Sequence, residues 1–409
     1  MPAILTCTAP SHWPTPENCI HGDSNFCEGA APASRKGSSS AGVNVTCMTR
    51  LGANPGPPVP QSDGGDDYAP DSPAAGGCGC LLFPARKIIL FTYGRSGSSF
   101  TSAIIQRHPD IFYTFEPLYN LLRRTIGLQE GRNHFWLPNN SREQFDKSSI
   151  QIIQAFLNCS FESVDIQDVD NYQLRNSLDS RLLWKCIHIP KMTAKEALEC
   201  FLKTRKDCLG HRVRMVKTIR MTGSAAARMM ASHKDLRILY LIRDPRGTIT
   251  SQKRVFGNFE WDKVDAFSKN FCRTFQSDLN DLEPLFVAYP GRIKLLRYET
   301  LAEAPMKVSQ EMYEFLQLNF TRDVYEFVYN KTSAGQKSMH SYSTTRANSS
   351  TAAYTWRSFL PLHHAKVIDK NCQYVYDKLG YLPVTSLEEL RSTNHSLKLD
   401  DVIFKGVRI

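Results

Sequence analysis

The chain reads as short apolar runs set between polar, loop-forming stretches. Lys87 to Tyr93 (KIILFTY) is rich in β-branched and aromatic residues, which predicts a strand buried on both faces. Similar runs predict strands at Arg212 to Lys217, Leu236 to Ile242 and Arg292 to Arg297. Helical spacing of apolar positions follows the first run, from Phe100 to Arg107, and the triplet His108-Pro109-Asp110 ends it because proline cannot continue the helix. A helix is also predicted after Leu236 to Ile242, with Pro245 suited to its first turn, and another from Met306 through Leu316. Strands alternating with helices predict an α/β fold, a central and mostly parallel sheet flanked by helices. No internal repeat is present.

Composition divides the chain. Residues 1–85 hold 12 of the 22 prolines and 11 of the 23 glycines, with three basic and seven acidic side chains. Such a segment buries too little apolar surface to offset chain entropy, so 1–85 is expected to be a disordered Pro/Gly-rich segment and 86–409 the folded domain. The net charge of +10 then resolves into −4 on the first part and +14 on the second. A basic folded part suits an anionic partner such as a nucleotide, a nucleic acid or an acidic glycan. No run of 18 apolar residues occurs, which excludes an ordinary transmembrane helix within this chain.

The folded part has six cysteines (159, 186, 200, 208, 272 and 372) with no CxxC pair, which argues against a structural zinc site and allows a disulfide framework of unreadable connectivity. It also carries six glycosylation sequons, at Asn139, Asn158, Asn319, Asn330, Asn348 and Asn394. Together these favour a secretory lumen and count against a nucleic-acid partner.

Two segments carry the chemistry. The first is Gly94-Arg-Ser-Gly-Ser-Ser-Phe-Thr101, small residues between a strand and a helix. Backbone N–H groups at a helix N-terminus attract anions, small side chains let phosphate approach, and Arg95 adds a fixed charge. The loop has no lysine and fails both GxxxxGK[ST] and GxGxxG. The second is Arg243-Asp-Pro-Arg-Gly-Thr-Ile-Thr-Ser251, which opens where another strand ends. Ligands of open α/β sheets bind at such carboxyl ends, and two anion sites suit a nucleotide with two separated phosphates.

This pair of segments resembles the two cofactor signatures of the galactose/N-acetylglucosamine/N-acetylgalactosamine 6-O-sulfotransferases, closest to the keratan-sulfate galactose-6 and chondroitin-6 types. Supporting pieces follow in family order: Ile111 to Tyr119, Val216 to Arg220, Leu296 to Ala302, Arg346 to Ser350 ahead of Trp356, Asn371-Cys372 and Leu379 to Tyr381. The resemblance spans nearly all of 86–409 and none of 1–85. It implies one P-loop-like sulfotransferase domain that uses 3′-phosphoadenylyl sulfate (PAPS) and requires no metal. Arg95, Ser96, Gly97, Ser98, Ser99, Phe100 and Thr101 would hold the 5′-phosphosulfate. Arg243, Asp244, Pro245, Arg246, Gly247, Thr248, Ile249, Thr250 and Ser251 would hold the 3′-phosphate, Arg243 and Ser251 most directly. The implied reaction moves a sulfuryl group to the 6-hydroxyl of a galactose or N-acetylhexosamine in a glycan or glycosaminoglycan. The implied setting is the Golgi lumen, with a membrane anchor ahead of the catalytic domain. A Pro/Gly-rich segment stands in the anchor's place, so an incomplete or misassigned N-terminus is expected.

Within that reading Arg95 stabilises the departing phosphate and Glu116, in Phe115-Glu116-Pro117, is the candidate base, a structural ion pair being the equal alternative for Glu116. Lys217 and Arg220 read equally as site cations or as solvated strand-end charges. Arg346 reads as a surface charge before a phosphate ligand, Trp356 as core before sugar platform, and His363-His364 as helix or loop before metal pair. The rival functions are a P-loop nucleotide kinase, disfavoured by the missing loop lysine, and a catalytically inactive glycosaminoglycan-binding protein.

Overall fold

The computed structural model describes residues 85–127, 137–189, 193–257, 259–332 and 348–409. The expectation for residues 1–85 therefore lies almost wholly outside the described residues, as does Arg346.

The chain runs β1 (Arg86–Thr92), α1 (Ser98–Ile105), β2 (Ile111–Phe115), α2 (Tyr119–Ile126) and α3 (Asn139–Leu157). Then come α4 (Ile166–Val169), α5 (Ser180–Ile187), α6 (Ala194–Gly210), β3 (Val213–Thr218) and α7 (Gly223–Ser232). They lead to β4 (Leu236–Ile242), α8 (Pro245–Phe256), α9 (Val264–Ala288), β5 (Ile293–Arg297), α10 (Tyr298–Glu303), α11 (Pro305–Leu316) and α12 (Arg322–Thr332). The C-terminal part holds α13 (Ser349–Tyr354), α14 (Leu362–Asn371), α15 (Gln373–Leu379), α16 (Leu387–Arg391) and the short antiparallel pair β6 (Ile403–Phe404) and β7 (Val407–Arg408).

The five longer strands form one sheet in the order β2-β3-β1-β4-β5, every pairing parallel. All four strands expected from the apolar runs are present within about one residue of their predicted ends, and Leu236–Ile242 matches at both. β2 falls within the matching piece Ile111 to Tyr119, for which the apolar pattern alone predicts no strand. It pairs outside β3, so the chain leaves β1, skips one position, and returns to fill it.

Both sheet faces are covered, which is why the strands read as continuous apolar runs. Ile89 and Phe91 of β1 pack on one side with Ile238, Tyr240, α7 and α9 residues. Ile88 and Leu90 pack on the other with Phe100, Ile104, Leu239 and residues of α10 to α12. The alternation along β1 is the period-two geometry of a strand carried into two separate cores.

The six cysteines pair as Cys159–Cys208, Cys186–Cys200 and Cys272–Cys372. The last closes a loop of 100 residues, joining α9 to the junction of α14 and α15. Cross-linking a loop of that size restricts the unfolded chain strongly. The double replacement Cys272→Ser/Cys372→Ser is expected to lower unfolding free energy by about 2–5 kcal/mol in a denaturant titration. An unchanged midpoint and slope would contradict this.

Candidate active site

All five strand carboxyl ends contribute charged or polar side chains to one edge of the sheet. β1 ends at the loop that precedes α1, β2 at Glu116, β3 at Lys217 and Arg220, β4 at Arg243, and β5 at Tyr298 and Glu299. Parallel pairing of β1 with both β3 and β4 sets these ends side by side, at the point where the strand order reverses direction.

The loop after β1 has the geometry that suits an anion. Gly97 is the N-cap of α1 with φ 93°, has no side-chain cap, and no acidic residue enters the first turn. Among the described residues its first-turn amides have no side-chain acceptor, as an incoming oxyanion requires. A Cβ at Gly97 would sit 2.2 Å from the Tyr298 ring, so glycine is demanded here by space as well as by backbone conformation. Arg95 also has positive φ, 67°.

The second segment is bonded directly to the first. Arg95 Nε donates to Ser251 Oγ at 3.1 Å, Arg243 NH1 donates to the Arg95 carbonyl at 3.0 Å, and Gln252 Nε2 donates to the Gly94 carbonyl at 2.9 Å. Arg243 NH2 donates to the Ala353 carbonyl at 3.0 Å, and its guanidinium lies 4.9 Å from the Tyr298 ring centroid. Arg243 Nε is buried with no hydrogen-bond partner among the described residues. An orphaned cationic donor beside an open helix N-terminus fits a phosphate-bearing ligand.

Many side chains of the two segments turn into the protein. Ser96 turns into the sheet, its hydroxyl bonded to Thr92 Oγ1 at 2.5 Å and to the Tyr93 carbonyl at 2.7 Å. Phe100 and Ile249 are core residues, one on each side of the sheet. Thr101 Oγ1 donates to the Gly97 carbonyl at 3.3 Å, Ser98 is buried, and Ser99 is exposed. Asp244 caps α8 by accepting from Arg246 N at 2.8 Å, with Pro245 starting the helix. The Arg246 guanidinium is fully buried, 2.8 Å from Asp244 Oδ2 and 3.3 Å from Asp369 Oδ1, between Trp356 and Tyr376. It holds the segment to the core, and α8 helicity turns it there. Gly247 leaves room for Trp356, which a Cβ would meet at 2.9 Å. Thr248 and Thr250 are buried too. Arg95, Arg243, Ser251 and the backbone of the two segments meet one another, while Ser96, Phe100, Asp244, Arg246 and Ile249 bond or pack into the protein beneath them.

Glu116 sits at positive φ, 53°, one residue beyond β2, and is 1 % exposed. Its Oε1 accepts from Lys217 Nζ at 2.5 Å, and its Oε2 accepts from Ile219 N at 3.2 Å and from Arg220 NH1. Lys217 and Arg220 are thus buried and paired rather than solvated. Burial pushes the Lys217 pKa down, Glu116 pulls it up, and the Arg220 and Arg95 guanidiniums press it down again. That repulsion links this cluster electrostatically to the loop. Trp356 is a core residue. His363 and His364 lie in the first turn of α14, and His364 stacks on Trp261 at 4.8 Å.

Sequence reasoning missed Asp278 of α9. Its Oδ1 accepts from Gly223 N at 2.7 Å and its Oδ2 from the Tyr93 hydroxyl at 3.0 Å, which fixes the residue just before the loop. Burial raises its pKa from 3.8 to about 7. The unfolded chain ionises this group at its ordinary value, whereas the fold keeps it protonated to about 7. Its stabilising contribution is therefore complete below about pH 4 and is lost as pH rises through 7. Asp278→Asn cannot ionise, so its stability relative to the native protein is expected to rise between pH 5 and 8, by roughly 2–4 kcal/mol. Thermal melts at the two pH values check this, and parallel behaviour of both proteins would contradict it.

The chain is similar to known sulfotransferases. Carbohydrate sulfotransferase 1 of Danio rerio is 26% identical over 365 residues, covering 78% of this chain and 82% of that protein. Carbohydrate sulfotransferase 6 of Homo sapiens is 24% identical over 377 residues, covering 83% and 89%. Among solved structures, mouse sulfotransferase SULT7A1 complexed with PAP is similar at 13% identity and TM-score 0.36, covering 70% of this chain and 82% of that one. The sulfotransferase domain of the Synechococcus PCC 7002 olefin synthase has 14% identity and TM-score 0.39, covering 72% and 96%. The model of the sulfotransferase domain matches residues 85–380, which contain both anion segments and the Glu116 cluster, and the chain accordingly belongs to the sulfotransferase family.

Proposed function

We propose that the protein transfers a sulfuryl group from PAPS to the 6-hydroxyl of a galactose or N-acetylhexosamine residue in a glycan of keratan or chondroitin type. The observation that carries the reading is the direct bonding of the two anion segments through Arg95, Ser251 and Arg243. When bound, PAPS supplies an activated sulfuryl group and departs as adenosine 3′,5′-bisphosphate. The relatives that carry the name carbohydrate sulfotransferase support a sugar acceptor.

The chain's own residues divide the work. The open amides of α1 and the Arg95 guanidinium neutralise charge on the departing phosphate. Arg243 and Ser251 hold the second phosphate. Glu116 takes the proton of the acceptor hydroxyl. A carboxylate has about four acceptor positions; among the described residues three are filled, by Lys217, Ile219 and Arg220, which leaves one on Oε1 for that proton. The two cations fix the carboxylate's orientation, which a general base requires. Mapping the sulfate on the product tests the position: substitution at O6 supports the reading, and substitution at another hydroxyl overturns it.

We further propose a secretory-lumen location. The side chains of Asn158, Asn319, Asn330, Asn348 and Asn394 are all exposed, and six cysteines are paired. Expressed in a secretory pathway, the protein should lose several kilodaltons of apparent mass with an N-glycosidase; an unchanged mass would contradict this.

A further inference from the structure

Beyond the outer edge of the sheet, two consecutive helices each bury one face and leave a second, apolar face in solvent. β2 is an edge strand, and its edge is covered: Asp179 Oδ2 accepts from Tyr113 N at 2.8 Å and Ser177 Oγ donates to the Tyr113 carbonyl at 2.8 Å. α5 follows directly. It buries Ser180 and Leu183, while Leu178, Leu182 and Ile189, in and beside it, are 60 %, 55 % and 53 % exposed. α6 buries Cys200, Thr204 and Cys208, one stripe at i, i+4 and i+8. Away from that stripe, at about 100° per residue, stand Leu198, Leu202 and Leu209, each about half exposed. Cys186–Cys200 ties the two helices together, and Cys159–Cys208 ties α6 to the chain just past α3, so both helices are held in this orientation. Single exposed leucines are ordinary on a protein surface; six apolar side chains on two linked helical segments are not.

The charge around these side chains is mostly of one sign. Lys195 and Lys206 flank the α6 leucines on one side and Arg205 on the other, and Arg181 and Lys185 are exposed on α5. Residues 180–210 hold seven basic and three acidic side chains. Glu196 is engaged in the Thr193 capping box, and Glu199 is the one carboxylate on the outward side of α6. Arg205 meets Glu162 at 2.7 Å, whereas Lys185, Lys195 and Lys206 meet no carboxylate among the described residues.

We infer that the α5–α6 face rests on an anionic lipid surface, its leucines at the boundary of headgroups and acyl chains and its lysines on the lipid phosphates and carboxylates. An apolar stripe bordered by cations asks for an apolar layer edged by anions, which is the cross-section of a lipid leaflet. Lysine suits the border because its apolar stem lies along the layer while its ammonium stays among the headgroups. A second copy of this chain fits poorly: a two-fold contact through the face would set Lys195, Lys206 and Arg205 against their own counterparts. The contact is peripheral, since no helix among the described residues is long and apolar enough to cross a membrane. The inference is independent of the sulfuryl-transfer reading.

Flotation of the full chain with lipid vesicles tests this. Vesicles of phosphatidylcholine with phosphatidylserine should bind the protein about tenfold or more tighter than vesicles of phosphatidylcholine alone, and added salt should shrink the difference. Leu198→Ser/Leu202→Ser should lower binding to the anionic vesicles about tenfold or more, and Lys195→Glu/Lys206→Glu should remove the preference for phosphatidylserine. Val287→Ser, at a side chain 73 % exposed on α9, takes apolar surface from elsewhere and should bind as the native protein does. All these positions are in solvent, so the melting curves should stay unchanged. Native protein that ignores the anionic vesicles, or binding that survives Leu198→Ser/Leu202→Ser, would overturn the inference. A dimer seen in sedimentation and dissociated by the same double substitution would give the face to a second copy and overturn it. Poly-glutamate bound at this face in place of vesicles would give it to an acidic protein, with the same consequence.

Discussion

Arg95→Ala is expected to lower kcat by roughly 10²–10³, about 3–4 kcal/mol of transition-state stabilisation. The expectation comes from placement. Arg95 stands in the loop between β1 and α1, donates to Ser251 of the second segment, and carries the carbonyl that Arg243 grips. Removing its side chain takes away the loop's fixed charge and one of the bonds that hold the two segments in register. Its left-handed backbone remains, so the loop path should persist. Arg95→Lys keeps a charge but not the planar fork and should recover only part of the loss. Steady-state kinetics with PAPS, beside equilibrium binding of adenosine 3′,5′-bisphosphate, separates the two contributions. Near-normal kcat in Arg95→Ala would remove Arg95 from the mechanism.

Glu116→Gln is expected to reduce kcat by about 10²–10⁴, the usual worth of a positioned base. This substitution has a second effect. It leaves Lys217 and Arg220, both buried, without their shared carboxylate, and an uncompensated buried charge costs about 3–5 kcal/mol. Loss of activity therefore has to be read beside a melting curve and a binding measurement. Glu116→Asp resolves the ambiguity. It keeps the charge and withdraws it by one methylene, so the fold should hold while turnover falls through misplacement. A Glu116→Gln protein that folds, binds adenosine 3′,5′-bisphosphate and turns over at the native rate would make the carboxylate purely structural.

Much of this architecture could be read along the chain because it is local. Apolar runs such as Leu236 to Ile242 are buried on both faces, and both faces leave their mark in seven consecutive letters. The loop from Gly94 to Thr101 follows its strand without interruption. What escaped reading depends on distant partners. Nothing within Val216 to Arg220 says that Lys217 and Arg220 meet a carboxylate a hundred residues earlier. Arg246 looks like one more cation of its segment until Asp369 and Tyr376 arrive from the C-terminal part and enclose it. Asp278 stands in a 25-residue helix with no motif around it, and only sheet packing brings it to Tyr93. The cysteine pairs span 14, 49 and 100 residues, separations that no spacing rule selects. β2 was hidden for a related reason: five residues are few, and its neighbour in the sheet is β3 rather than β1.

The central question is whether the paired anion segments serve sulfuryl transfer to sugar. Incubation with PAPS labelled in its sulfate, over a panel of desulfated keratan, chondroitin and N-acetyllactosamine acceptors together with their acidic counterparts, measures this directly. Label should appear in glycan, with the Arg95→Ala and Glu116→Gln proteins transferring at least about a hundredfold less. A folded protein that binds adenosine 3′,5′-bisphosphate yet labels no glycan in the panel, or one that prefers ATP with Mg²⁺ and moves phosphate instead, would contradict it.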